Sequence, residues 1–192
     1  PGDGGPGAPY IVLMNAISTA PSILESAGIS PDRAGKIINE ALQGADDGEL
    51  FVERSESESF LFDDGRLKSA AYDATEGFGL RVVAGETAGY AHASEISEAA
   101  ITRAGQSASL AKRGYSGHAA EPPRATNAKL YGEDNPLASP GFSDKVALLQ
   151  EIDAWARASD PRVVQDMDSL TGARRTIEIL PGDGRLIRDI RP

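Results

Sequence analysis

The chain has 192 residues, no cysteine, two histidines, and a formal net charge of -10 with a pI near 4.7. That balance excludes a basic footprint for nucleic acid or an anionic membrane, and the missing cysteines exclude disulfides, thiolate zinc sites, iron–sulfur clusters and a cysteine nucleophile. Hydrophobic residues at 40% and charged residues at 25% are enough for the core of one ordinary domain.

Residues 1–29 form a poorly defined N-terminal segment. Residues 1–9 are rich in glycine and proline and are expected to be disordered. Tyr10 to Ala27 is weakly helical in pattern and is broken by Pro21. The apolar run Tyr10–Ile17 is preceded only by Asp3, so it lacks the basic start of a signal peptide. No stretch reaches the ~18 consecutive apolar residues of a membrane helix. A cytoplasmic location is expected. Pro1 stands where an initiator methionine would, and the chain stops at Arg191-Pro192, so a fragment of a longer polypeptide is expected.

Residues 30–113 read as a helix, a four-strand meander and a helix. Ser30 suits a helix cap and Pro31 the first helical position. Ala34, Ile37, Ile38, Ala41 and Leu42 then recur at helical spacing up to Gly44. Strands are predicted from Leu50 to Phe62, Arg66 to Asp73, Phe78 to Val83 and Thr87 to Ala93. The turns between them are Asp63-Asp64-Gly65, Thr75-Glu76-Gly77 and Ala84-Gly85-Glu86. A helix follows from Ser94 to about Arg113, with Ile96, Ala99, Ala100, Ala104, Ala108 and Leu110 as its apolar positions.

Residues 114–142 form a long Pro/Gly-rich loop. Residues 143–192 hold a helix capped by Ser143-Asp144, with Val146, Leu149, Ile152, Trp155 and Ala156 on its buried side. Three strands follow: Val163–Leu170, Arg174–Leu180 and Arg185–Ile190, the last after a Gly182-Asp183-Gly184 turn. The class is α+β: an antiparallel β-meander packed with helices, then a helix and a second small antiparallel sheet, rather than a doubly wound parallel fold.

No residue set assembles a catalytic site. His92 ends the fourth strand and His118 lies in the loop; Glu95 follows His92 by three, but no second histidine completes a zinc-protease helix. Glu56 and Glu58 share a strand face and, with Asp73, are the carboxylates on which an acid–base enzyme would rest. They read more simply as a solvated sheet face. Asp63-Asp64-Gly65 lacks the spaced ligands of a calcium loop. Gly77-Phe78-Gly79 lacks the third glycine and the following helix of a nucleotide loop, and reads as strand glycines that mark a close backbone approach or a bulge. Ser55, Ser57 and Ser59 sit in no nucleophile elbow.

The run from Phe62-Asp63-Asp64-Gly65-Arg66-Leu67-Lys68-Ser69 through Glu76-Gly77-Phe78-Gly79-Leu80-Arg81-Val82 to Gly85-Glu86-Thr87-Ala88-Gly89-Tyr90-Ala91 resembles the N-terminal domain of the TldD/PmbA metallopeptidase family, in its TldD branch. Asn135-Pro136-Leu137, the Lys145–Ala158 helix, Gly182-Asp183-Gly184 and Asp189-Ile190-Arg191-Pro192 follow in matching order over residues 30 to 192. The resemblance implies a cytosolic zinc peptidase acting on unfolded or small peptides. It places the zinc motif, histidine-glutamate-x-x-x-histidine, downstream of this region, so no catalytic or metal residue carries over and no substrate-binding residue is assigned. It also implies a scaffold role and a dimer with an identical or PmbA-like subunit. The alternative is a non-catalytic peptide-binding or assembly module.

Overall fold

The computed structural model describes residues 22–113 and 130–192. The expectations for residues 1–21 and 114–129, His118 among them, lie outside the described residues. In chain order the elements are α1 (Ile23–Ser26), α2 (Pro31–Leu42), β1 (Asp47–Asp63), β2 (Arg66–Ala84), β3 (Thr87–Ala93), α3 (Glu98–Ala108), a 3₁₀ turn (Ser109–Lys112), α4 (Phe142–Ser159), β4 (Met167–Pro181) and β5 (Ile187–Arg191).

The class is the α+β, antiparallel one that the pattern predicts. The strands, however, form one five-stranded sheet in the order β3-β2-β1-β4-β5, not a meander and a second small sheet. β4 pairs with β1 from Glu49↔Pro181 to Asp63↔Met167 and so fills the edge of β1 that the meander leaves open.

Two predicted breaks are absent. Thr75-Glu76-Gly77 is not a turn, because β2 runs unbroken from Arg66 to Ala84. Gly77 does not take the positive φ that a tight hairpin turn demands. What it needs is the missing side chain, since a Cβ there would sit 2.8 Å from the Ala93 carbonyl oxygen. Likewise β4 is one strand from Met167 to Pro181, so the last three predicted strands are two. The Asp64-Gly65 turn is as read, with φ of 51° and 72° at its two residues, the positive pair that matches the right-handed twist of a hairpin.

α2 is capped by Ser30, whose hydroxyl accepts from Arg33 N at 3.2 Å, with Pro31 at its first position. Its Ala34, Ile37, Ile38 and Ala41 face inward. α3 starts at Glu98 under a Ser97 cap and buries Ala100, Ile101, Ala104 and Ala108, while the predicted apolar positions Ala99 and Leu110 are exposed. Its small residues let α2 come close: a Cβ on Gly105 would lie 3.0 Å from that of Ala41.

With α1, these helices cover one end of one sheet face, packing on Leu50, Val52, Phe78, Leu80, Val82 and Leu180. Ile23, Leu24 and Ile29 join this core although they fall in the segment that the sequence leaves undefined. Burying a side chain such as Leu24, Ile38 or Ile101 stabilises by about 1.5–3 kcal/mol each. A smaller cluster of Phe60, Phe62 and Leu149 lies at the other end of the sheet, under α4.

α4 departs from expectation. It begins at Phe142 with Gly141 as its cap residue, not at Ser143-Asp144. It buries Lys145, Leu149 and Asp153, leaving Ile152 38% and Trp155 72% exposed. The reason is what lies beneath it. The sheet offers Glu58 at that point, so a lysine rather than an indole turns inward.

Candidate functional site

Side chains of β1 alternate between faces, so Leu50, Val52, Arg54, Glu56, Glu58, Phe60 and Phe62 share one. The two apolar ends of this row lie under helices, and the three charged residues between them form a polar belt. Register places Tyr72, Ala74 and Glu76 of β2 beside them on one side, and Gly172, Arg174 and Thr176 of β4 on the other.

Within the belt the charges meet each other. Arg54 donates to Glu76 Oε2 through Nε at 2.9 Å and Nη2 at 2.6 Å. Tyr72 Oη donates to Glu56 Oε1 at 2.7 Å, and Arg174 Nη1 lies 3.7 Å from Glu56 Oε2. That bond to a carboxylate is the main reason the Tyr72 phenol is held above its usual pKa, with burial and the Glu56 charge adding to it. Lys145, buried under α4, donates to Glu58 and also to the Pro136 and Leu137 carbonyls, both at 3.0 Å. It thereby ties the segment before α4 to the sheet.

The candidate carboxylates are therefore not gathered. Glu56 and Glu58 lie on the helix-bearing face, each beside a cation and facing Tyr72 or Lys145. Asp73 pairs in register with Ser57 and so points to the opposite, open face. There it lines a shallow hollow of about 490 Å³ with Ser57, Ser59, Ala71, Thr171 and Ala173.

His92 is exposed on β3, its ring 5.8 Å from that of Tyr90. Both line a second open-face hollow of about 370 Å³, floored by Gly77 and Gly79. Glu53 in that hollow pairs with Arg175 at 3.4 Å, and Glu95 accepts from Ser97 Oγ at 2.7 Å. The close-backbone reading holds at Gly77, which Ala93 crosses; at Gly79 the space of a Cβ is taken instead by a side chain, the Tyr90 ring. Sequence reasoning passed over Tyr72, Lys145 and Arg174, which balance the belt. Tyr72 and Arg174 alternate in step with Glu58 and Glu56 once β1, β2 and β4 are paired, but that pairing and the approach of Lys145 from α4 leave no signal in the local sequence.

Fold and belt together define an α+β domain in which, among the described residues, the helices lie on one face of the antiparallel sheet. The chain belongs to the TldD/PmbA family, and its residues 48–111 match the family model described as PmbA/TldA metallopeptidase domain 1. It is 32% identical over 151 residues to a metalloprotease TldD homologue of Haemophilus influenzae, covering 77% of this chain and 31% of that protein. A TldD homologue of Buchnera aphidicola is 31% identical over 148 residues, with the same coverage of 77% and 31%. The chain thus spans about a third of the length of the curated relatives it matches. The fold is also that of TldE from Thermococcus kodakarensis, with a TM-score of 0.60 at 16% identity over 81% of this chain and 36% of that one.

A metalloprotease implies a metal. Zinc takes histidine, cysteine and carboxylate ligands converging on one point. Among the described residues no group of three or more such side chains converges, and the belt carboxylates are turned toward cations and a phenol. The described residues do not fit a zinc ion.

Proposed function

We propose that this chain is the N-terminal scaffold and dimerisation portion of a cytoplasmic TldD-like zinc metallopeptidase acting on unfolded or small peptides, its partner an identical or PmbA-like subunit. The observation that carries this reading is the polar belt. Its acids are matched by Arg54, Lys145, Arg174 and Tyr72 within the domain, which suits a rigid support better than an acid–base centre. The share of the curated relatives that the chain spans supports placing the zinc and its ligands outside it. Among the described residues no helix is long and apolar enough to cross a membrane.

The test compares the chain alone with the same chain joined to the remaining part of the Haemophilus influenzae relative. Zinc content and cleavage of an unstructured peptide are measured on both. The expected result is zinc and cleavage only in the joined protein. Cleavage by the chain alone would overturn the scaffold reading. Peptide binding by the chain, with no cleavage in either form, would support the alternative of a non-catalytic binding or assembly module, for which the open face and long strands of the sheet speak.

A further inference from the structure

The outer face of α4 differs from those of the other long helices. α2 turns Asp32, Arg33, Lys36 and Glu40 to water, and α3 turns out Arg103, Gln106 and Ser107. α4 instead turns out Leu148, Ile152 and Trp155, which are 45%, 38% and 72% exposed. Their spacing of i, i+4 and i+7 gathers them into a stripe about 60° wide. Ala147, Ala154 and Ala158 are exposed on the other side of the same face. Between stripe and alanines stand Asp144 and Glu151, the only charged residues exposed on this helix. Its two cations are turned inward, Lys145 to Glu58 and Arg157 to Asp153 and Asp64. Among the described residues neither Asp144 nor Glu151 meets a cation. A helix that meets only water carries polar residues on its outer side. An apolar outer face marks a site of interaction.

We infer that the outer face of α4 docks a basic amphipathic helix of another protein. The inference is independent of the peptidase reading. A ridge at i, i+4 and i+7 fits the groove between side-chain rows of a second helix, with the apolar stripes of the two facing each other. The charges fix the chemistry of that partner. Asp144 and Glu151 lie alongside the stripe without a cation of their own, so lysines or arginines flanking the partner's stripe complete them. The exposed indole of Trp155 adds a ring face for one more such cation. At longer range the net charge of -10 draws a cationic partner and repels an acidic one. The same charges disfavour two other occupants. A second copy of this chain would bring its own Asp144 and Glu151 to the same contact, and an anionic bilayer would set phosphates against them.

Trp155 is the only tryptophan of the chain, so its fluorescence reads the face directly. The probes are two synthetic helical peptides without aromatic residues, each as long as the 18 residues of α4. Both carry leucines at i, i+3, i+4 and i+7; one has lysines beside the stripe and the other glutamates. The free chain should emit at the long wavelength of an indole in water. The lysine peptide should shift that emission to the blue with saturation, and the glutamate peptide should bind at least about tenfold more weakly. Asp144→Asn with Glu151→Lys should reverse the preference. Leu148→Ala with Ile152→Ala, which keeps the reporter, should weaken the lysine peptide by about tenfold. Circular dichroism of each variant confirms the fold. Equal binding of both peptides, or of neither, overturns the inference. An emission already blue in the free chain shows the face covered by the chain itself and overturns it. A blue shift that grows with protein concentration in the absence of peptide assigns the face to a second copy and overturns it as well.

Discussion

Ser22 donates its hydroxyl proton to Glu178 at 2.8 Å, across 156 residues of sequence. The same carboxylate, fully buried on β4, accepts Ile23 N at 2.8 Å and Leu24 N at 3.2 Å. An acid that reads as an isolated charge in a strand is thus the anchor of α1. Glu178→Ala should destabilise the chain by about 2–4 kcal/mol, since three donors lose a charged acceptor in a dry site. Ser22→Ala, which removes one donor and a cap, should cost about 1 kcal/mol. Urea midpoints of the two variants check both, and an unchanged midpoint for Glu178→Ala would refute the anchoring role.

Lys145 and Glu58 form the other buried tie. Removing one partner of such a pair leaves a charge out of water, at a cost of about 3–5 kcal/mol, whereas replacing both with apolar groups is far milder. Lys145→Met should therefore be strongly destabilising, and Lys145→Met with Glu58→Leu should recover much of the loss. A double-mutant cycle on unfolding free energies measures it; additive effects would show that the two do not act as a pair.

Asp168 sets a pH dependence. Its Oδ2 atom and that of Asp166 are shut off from water and meet no donor. Burial first, then the neighbouring Asp166 carboxylate, which can accept a hydrogen bond only from a protonated Asp168, and the charges of Asp166 and Asp153 hold the Asp168 carboxyl above the usual aspartate range. An acid whose pKa is raised by folding binds its proton more tightly in the native state. Its stabilising effect is present below the unfolded value of about 3.9 and is lost as pH rises through the folded value. Asp168→Asn should therefore be more stable than the parent near neutral pH and should flatten this part of the profile. Urea midpoints taken upward from about pH 4 decide it; parallel profiles for the two proteins would exclude Asp168 as the source.

Trp155 stands 72% exposed on α4. Trp155→Ala should shift stability by no more than about 0.5 kcal/mol, as for a surface site. A core tryptophan would cost about 3–5 kcal/mol, so thermal or urea unfolding separates the two positions plainly.

What the sequence shows and what it hides follow one division. The Asp64-Gly65 turn and the Ser30-Pro31 helix start depend on neighbours in the chain, and both are legible from local backbone chemistry alone. Gly77 is not, because a glycine needed for the passage of Ala93 looks the same in sequence as one needed for a turn. Ile152 and Trp155 keep helical spacing, yet the direction of α4 is decided by Lys145 reaching Glu58, 87 residues away. The joining of β4 to β1 is hidden for the same reason, since either a new sheet or an old edge satisfies the same alternation. At the polar belt the acids were visible and their partners were not, because Tyr72, Lys145 and Arg174 come from three separate elements.

The two hydrophobic clusters sit at opposite ends of the strands with a polar span between them. One holds most of the buried apolar residues; the other is Phe60, Phe62 and Leu149 with a few half-buried neighbours. Amide exchange should therefore be graded along a single strand. Near Leu50 and Leu80, β1 and β2 should exchange only through global unfolding, whereas near Phe60 and Ala70 the same strands should exchange through local opening with the release of α4. The long strands would then act as a rigid bar held firmly at one end, with the α4 end free to open and reclose while the rest stays folded.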